Sequence, residues 1–400
     1  MSVQVAITGM GCVTAAGLGV DALWQAARDG DPKVSRLDGD EFARSHVKIA
    51  ARAPFDMADH FTPNQARTLD RFSALAIVAA GEAIAAAKAE PREWGDRVAL
   101  IIGTGIGGIE TTASMYGSFT SGTRGDPMAI PKIMPNAAAC QVAMTYGITG
   151  TLLATAGACS SSAQAIGLGL QLIRAGIVDR AIVGGSEAMV IPSSMLAWEM
   201  LRVLTPTAQR PFSKGRDGMM MGEGAGVMVL ERLDLAQERG APIVGMLRGY
   251  GTTSDAKDLL RADPVRSSAA ISRALADAEV APSDIAYCNA HGTGTIANDS
   301  AEAEALSLVF GEHLPKLAVS STKPIHGHLI GAAGAVEAIV TVKALNEGIA
   351  PPTINFLEPD PAMHPINCVP NTAQPISGKI GISNSFAFGG INCSLVLSAV

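Results

Sequence analysis

Thr155-Ala-Gly-Ala-Cys159-Ser-Ser-Ser-Ala-Gln-Ala-Ile-Gly167 sets one cysteine among residues with small side chains. The apolar approach Leu152-Leu153-Ala154 predicts a short buried strand, and the apolar period over 162–173 predicts a helix. Cys159 then sits at or just before a helix N-terminus. There, unpaired backbone N–H groups and the helix dipole favour a thiolate over a thiol. The surrounding Ala, Gly and Ser leave room for an acyl group and for a tight turn. A lone cysteine is more often a small buried hydrophobe, so the chemistry depends on what accompanies it.

Three other segments could accompany it. Asn289-Ala-His291-Gly-Thr293-Gly-Thr295 follows an apolar run. Ser320-Ser-Thr-Lys323-Pro-Ile-His326-Gly-His328 precedes a Gly/Ala-rich stretch, and Asn384-Ser-Phe386-Ala-Phe388-Gly-Gly390-Ile-Asn392 lies between two apolar runs. Of only seven histidines, three fall in these segments. Taken singly, each segment has an ordinary explanation: a turn-bonding histidine, a surface lysine, a core phenylalanine. Together, a cysteine, two histidines and a lysine supply a nucleophile and hydrogen-bond donors for a developing oxyanion. Zinc is the competing use of Cys and His. It would require ligands at close spacing and would leave the lysine and the glycines unexplained.

The elements that must position these residues alternate. Strands are predicted at 3–8, 98–102, 180–183, 244–249, 285–289, 317–321, 379–382 and 393–398, with a glycine-rich turn entering a further strand over 222–231. Helices are predicted at 21–29 with Asp21 as N-cap, 69–89, 137–144, 267–278, 300–310 and 331–346. Residues 111–136 read as a loop-rich excursion, and Gly184 to Glu187 as a turn. The unusual residues fall just past strand ends, the usual place for sites in an α/β fold with buried sheets. Gly103-Thr-Gly-Ile106-Gly-Gly108 is only superficially a phosphate loop, because no acidic residue follows a second strand at the required distance. The halves share no close sequence repeat.

Composition narrows the class. Four hundred residues are ample for a large core, and a formal charge of −7 argues against nonspecific nucleic-acid binding. No run reaches the roughly 18 apolar residues of a membrane span. The N-terminus has no basic region of the kind that opens a signal peptide. Cysteines at 12, 140, 159, 288, 368 and 393 form no C-x-x-C pair, so a reducing, cytoplasmic setting is expected.

In these motifs the chain resembles the β-ketoacyl-acyl-carrier-protein synthases, the decarboxylating condensing enzymes of the thiolase superfamily. The resemblance runs from the first strand to Phe388-Gly-Gly-Ile-Asn392, with Cys159, His291-Gly-Thr-Gly-Thr295, Lys323, His328 and the Phe-Gly-Gly loop in the family's order. Met134-Pro-Asn-Ala-Ala-Ala-Cys-Gln-Val142 and Pro351-Pro-Thr-Ile-Asn355 are similar to segments of nodulation-type condensing enzymes. The resemblance implies an α/β, thiolase-like fold of five layers, αβαβα, from two similar halves: 1–240 with the nucleophile, and 241–400 with the two histidines and the lysine. It implies a homodimer that takes acyl and malonyl thioesters from an acyl-carrier protein in fatty-acid or specialised acyl-chain biosynthesis. No cofactor is expected beyond the phosphopantetheine arm that the carrier delivers, and neither nucleic acid nor membrane is expected as a partner.

Residue by residue, the resemblance makes Cys159 the acyl-holding nucleophile, with the N–H groups of Cys159 and Phe388 as oxyanion hole. His291 and His328 would stabilise the enolate as Nε2 donors. Lys323 would organise the site with Glu337, and a structural monovalent cation would lie near Glu302 and Glu337. Thr293 and Thr295 would hold the phosphopantetheine arm. Ile106, Phe386 and Phe388 would line the acyl pocket, with Phe388 as gate. Arg67 and Arg202, out of Arg67, Arg71, Arg124 and Arg202, would meet the carrier protein. Ala387, Ile391 and His326 depart from the family's pattern. The alternatives are a biosynthetic thiolase, which would need a second catalytic cysteine late in the chain, and a noncatalytic chain-length partner, which would lack the nucleophile.

Overall fold

The computed structural model describes residues 3–400. Ten strands carry the architecture: β1 Val5–Thr14, β2 Val98–Gly103, β3 Thr151–Thr155, β4 Arg180–Ala188, β5 Glu223–Arg232, β6 Gly245–Ser254, β7 Ile285–Asn289, β8 Ala318–Ser320, β9 Ile380–Ala387 and β10 Ile391–Ser398. They run in the order β3-β2-β4-β5-β1-β6-β10-β9-β7-β8. The first five strands and the last five therefore repeat one order, mirrored about the short β1–β6 seam of Val5, Ala6 and Ile7 with Leu247, Met246 and Gly245. A duplication invisible in the sequence is plain in the topology.

Ten helices matter here: α1 Val20–Asp29, α2 Arg71–Ala86, α3 Ile109–Ser121, α4 Ala129–Ile133, α5 Ala137–Tyr146, α6 Ser161–Arg174, α7 Pro192–Met200, α8 Pro264–Asp277, α9 Ile296–Phe310 and α10 Ala333–Glu347. Helix α6 packs on the first half-sheet and also reaches β6 and β10, while α10 touches β5 and β9 as well as α6. These two form the middle layer. Helix α2 covers β1, β5 and β4 from outside, and α8 covers β6 and β10. The result is five layers, αβαβα.

The halves use the same packing device. In β1, Gly9 and Gly11 lie against α2 so closely that an added Cβ would fall 2.1 Å from Ala83 O and 2.2 Å from Ala79 O. In β6, Gly249 and Gly251 meet α8 in the same way, 2.4 Å from Ala274 O and 2.0 Å from Ala270 O. A helix of small residues seated on strand glycines brings two backbones together at a distance no side chain permits.

The structure corrects several expectations. Strand β1 runs through Gly9-Met-Gly11 because α2 needs those glycines inside the strand. Gly184 to Glu187 is no turn but the second half of β4, paired with β5. Residues 111–136 are largely helical. Helix α3 buries only Thr111, so it shows no apolar period; it is anchored instead by Asp70, which accepts from Thr111 N and Oγ1 at 2.8 and 2.6 Å. Asp21 is not the N-cap of α1, since Gly19 holds that place. Strand β3 is an edge strand with Leu153 37% exposed, not a buried one.

Candidate active site

Cys159 lies in a single 3-10 turn, Ala158–Ser160, between β3 and α6. Ala158 has φ +47°, so the chain enters Cys159 through a left-handed residue that is not glycine. Three serines then tie the turn down. Ser160 Oγ donates toward Ser385 O and Ile391 O, Ser161 Oγ reaches Thr104 O and accepts from Gly157 N, and Ser162 Oγ accepts from Ala335 N.

The second half supplies the partners from three strand ends. His328 Nε2 is 3.2 Å from Cys159 Sγ. Its Nδ1 accepts from Ile330 N at 3.2 Å, which places the ring proton on Nε2 and makes His328 a donor into the site. His291 follows β7, and its ring meets that of His328 edge-on at 5.4 Å between centroids. The reactive atoms of Cys159, His291 and His328 all lie within 4.8 Å of one another. Lys323 is fully buried and ion-paired with Glu337. Glu302 fixes the His291 loop by accepting from His291 N at 2.8 Å and Gly292 N at 2.7 Å.

Electrostatics set the protonation states. Burial pushes the Cys159 thiol up to about 12, against the Lys323 charge and the Phe388 N–H directed at it. Here desolvation outweighs both, so the thiol lies above its ordinary value, whereas a helix N-terminus alone would lower it. Burial and Lys323 hold His291 and His328 well below the usual imidazole range, so both rings are neutral near pH 7. Burial likewise raises Glu302 and Glu337 to about 7.

The same tautomer disfavours zinc, although the three side chains lie at ligand distances from one another. A metal would need the Nε2 lone pair of His328, and the Ile330 N–H leaves the proton nowhere else to sit.

A cavity of about 210 Å³ opens onto this centre, lined among others by Cys159, His291, His328, Phe386, Ala387 and Phe388 and by Thr293, Thr295 and Trp198. Thr293 and Thr295 share a 2.9 Å hydroxyl contact, and Thr295 also caps α9. Phe388 stacks on Trp198 at 6.2 Å. Its loop turns through Gly389 and Gly390 at φ +84° and +71°, and an added Cβ at Gly390 would meet Asp255 at 2.6 Å.

Other sequence candidates fall elsewhere. Ile106 is 47% exposed and does not line this cavity. His326 is buried in its own turn, with Nδ1 on Gly327 O at 2.8 Å and Nε2 on Thr322 Oγ1 at 3.1 Å. Arg71 is an internal partner of Glu223 at 2.7 Å, whereas Arg67, Arg124 and Arg202 are exposed. Cys393 lies in β10 itself, beside Tyr250, Thr252 and Ser160 and outside the cavity lining, so it is not placed to serve as a thiolase's second cysteine.

Sequence reasoning missed Glu187. At the end of β4 it is fully buried, and it accepts from Gly105 N at 2.6 Å and Gly331 N at 3.0 Å. It thus joins the Ile106 loop to the segment that carries His328. Its only signal was a carboxylate in an otherwise apolar stretch.

Comparison with known proteins agrees with this geometry. The family models described as Beta-ketoacyl synthase, N-terminal domain, and Beta-ketoacyl synthase, C-terminal domain, match residues 2–236 and 244–357. The chain is 37% identical over 403 residues to Nodulation protein E of Rhizobium meliloti (strain 1021), covering 100% of both chains. It is 38% identical over 409 residues to 3-oxoacyl-[acyl-carrier-protein] synthase 2 of Staphylococcus aureus (strain MRSA252), covering 99% of this chain and 98% of that one. A solved type II polyketide-synthase acyl-carrier protein in complex with its ketosynthase, bound to the hexaketide, aligns over 100% of both chains with TM-score 0.90 and 28% identity. With a cysteine, two neutral histidines and a buried lysine gathered at the strand ends of a duplicated five-layer fold, the chain belongs to the β-ketoacyl synthases, acyl-condensing transferases.

Proposed function

We propose that Cys159 carries the acyl group and that His291 and His328 act on a malonyl thioester, giving a decarboxylating Claisen condensation. The observation that carries this reading is His328 Nε2–H aimed at Cys159 Sγ from 3.2 Å, with its tautomer fixed from behind by Ile330 N–H.

In the first half-reaction the Cys159 thiol gives up its proton as its sulfur attacks the acyl thioester carbon, and that proton ends on the departing phosphopantetheine sulfur. The oxyanion is held by the N–H groups of Cys159 and Phe388, the bond to the phosphopantetheine sulfur breaks, and that sulfur leaves as a thiol. In the second, the malonyl C–C bond to the carboxylate breaks and CO₂ leaves. The electron pair becomes an enolate whose oxygen accepts hydrogen bonds from His291 and His328. The enolate carbon attacks the acyl carbonyl, and collapse of that oxyanion expels the Cys159 thiolate and yields a 3-oxoacyl thioester. Neutral imidazoles suit the task, because they donate without protonating the nucleophile. Lys323 sets the local potential.

Further assignments rest on the same reading. Thr293 and Thr295 hold the phosphopantetheine arm, and Phe386 and Phe388 line the acyl pocket. An acyl-carrier protein delivers the arm, meeting exposed Arg67 and Arg202. The half spanning 1–240 provides the nucleophile and that spanning 241–400 the decarboxylation machinery. A second copy pairs along the bare edge of β3, which would cover Leu153 and bring Ile106 under a neighbouring subunit. A monovalent cation fits beside Glu337 Oε2 and Asn289 Oδ1, buried acceptors with no partner, near Glu302; it would offset the buried carboxylates. A cytoplasmic location fits six free cysteines and the lack, among the described residues, of any helix long and apolar enough to cross a membrane.

The test is incubation with acyl- and malonyl-carrier proteins, read by mass spectrometry. The expected result is an acyl adduct on the peptide containing Cys159, followed by a 3-oxoacyl-carrier product. An adduct on another residue, or a product without loss of CO₂, would overturn the reading.

A further inference from the structure

Ser160 follows the nucleophile and is completely buried. Its side chain faces away from the cavity and into the base of the β9–β10 hairpin. Oγ lies 2.9 Å from Ser385 O on one strand and 2.8 Å from Ile391 O on the other. A hydroxyl has one proton, so a single O–H is shared between two carbonyls from opposite strands of one hairpin. Those carbonyls flank Phe386, Ala387 and Phe388, and the N–H of Phe388 points at Cys159. Beyond the shared donor, the loop is held from outside by Gly389 N on Leu259 O at 2.8 Å and by Asp255 N on Gly390 O at 2.9 Å.

We infer that Ser160 is a positioning residue for the oxyanion hole, setting the spacing between the backbone N–H of Cys159 and that of Phe388. The inference deepens the proposed reaction and rests on its assignment of those two donors. One donor is attached covalently to Ser160 through the Cys159–Ser160 peptide; the other hangs from the hairpin that Ser160 clamps. Without the hydroxyl, two buried carbonyls lose their shared donor, and the hairpin is free to shift relative to the nucleophile. The oxyanion needs donors within a few tenths of an ångström of their places. His328 has a support outside the hairpin, the Ile330 N–H; His291 is held chiefly by Glu302 through its backbone N–H, with lesser contacts to the hairpin through Asn384 on Glu302 and through Phe386. The two half-reactions should therefore respond differently to loss of Ser160.

The test compares Ser160→Ala, Cys159→Ala and the unaltered protein in three measurements: the rate of Cys159 acylation from an acyl-carrier donor, malonyl-carrier decarboxylation without an acyl donor, and the melting temperature. Ser160→Ala is expected to acylate roughly ten- to a hundredfold more slowly, with decarboxylation within about twofold of the unaltered protein. Equal loss of both half-reactions would mean a general structural role and would overturn the inference, as would unchanged acylation. Failure of the underlying reading looks different: acyl transfer would then persist in Cys159→Ala whatever Ser160→Ala does.

Discussion

The junctions after β3 and after β8 occupy equivalent places in the two half-sheets, yet they are built for opposite tasks. After β3 the chain needs only one short turn to reach α6, and that turn presents Cys159 on a rigid support of serines. After β8 the path to α10 is longer and holds Lys323, His326 and His328. The short junction fixes one atom; the long one arranges a charge and a donor around it. The contrast shows how a duplicated scaffold becomes a two-step catalyst, since each copy of one connection can be shaped for one half-reaction.

The contrast can be broken most severely at the short junction. Cys159→Ala should abolish the acyl-enzyme in intact-mass measurements, whereas Cys140→Ala and Cys393→Ala should leave it unchanged. At the long junction, His328→Ala should lower malonyl decarboxylation by roughly a hundredfold or more, as loss of an oxyanion donor does, while Cys159 still takes up acyl groups. Acylation lost with decarboxylation intact would exchange the two roles.

A smaller effect tests the balance of burial and charge. Because burial pushes the Cys159 thiol up to about 12, its thiolate fraction should rise about tenfold per pH unit across neutrality. Alkylation by iodoacetamide, followed from pH 7 to 9, should climb accordingly; a plateau below pH 8 would contradict the burial argument.

Within the long junction, His326 and His328 differ in tautomer and duty. His326 donates from Nδ1 to Gly327 O and accepts at Nε2, and burial lowers it to about 3. Its folded value lies below the unfolded one, so its contribution to stability is complete above about pH 6.5 and is lost as pH falls toward 3. Replacing it with Gln should flatten the acid limb of a denaturation series by up to about 1.4 kcal/mol per pH unit. An unchanged limb would mean that His326 is not held neutral by the fold.

Much of this site could be read from the chain because its chemistry stands out from its surroundings. Cys159 among alanines, and His291, Lys323 and His328 just past apolar runs, each contradict the bland composition near them. What stayed hidden is held by backbone. Glu187 lies inside a strand that its glycines disguised as a turn, and it works through N–H groups of residues far away in sequence. Helix α3 buries too little for a period to form, and the matching Gly-x-Gly seats of β1 and β6 look like two strand ends until both helices are in place. Ile106 could be placed in a glycine loop from its sequence, but its position outside the cavity could not.

The two left-handed residues near the nucleophile, Ala158 at φ +47° and Ile330 at +44°, carry a consequence for how the protein can be improved. Both are held in a region that costs a side-chain-bearing residue roughly 1–2 kcal/mol, and both lie beside atoms that must not move: Ala158 precedes Cys159, and Ile330 supplies the N–H that orients His328. A search for thermostable variants that scores only folding would favour glycine at Ala158, whereas Ile330 is a buried core side chain whose truncation costs more than the relief of strain returns. Ala158→Gly should melt no lower and turn over more slowly, because the relief of strain removes the constraint that holds the thiol in place. The stability ceiling of this protein is thus set partly by its own reaction, and heat tolerance is better sought in parts of the fold away from the two junctions.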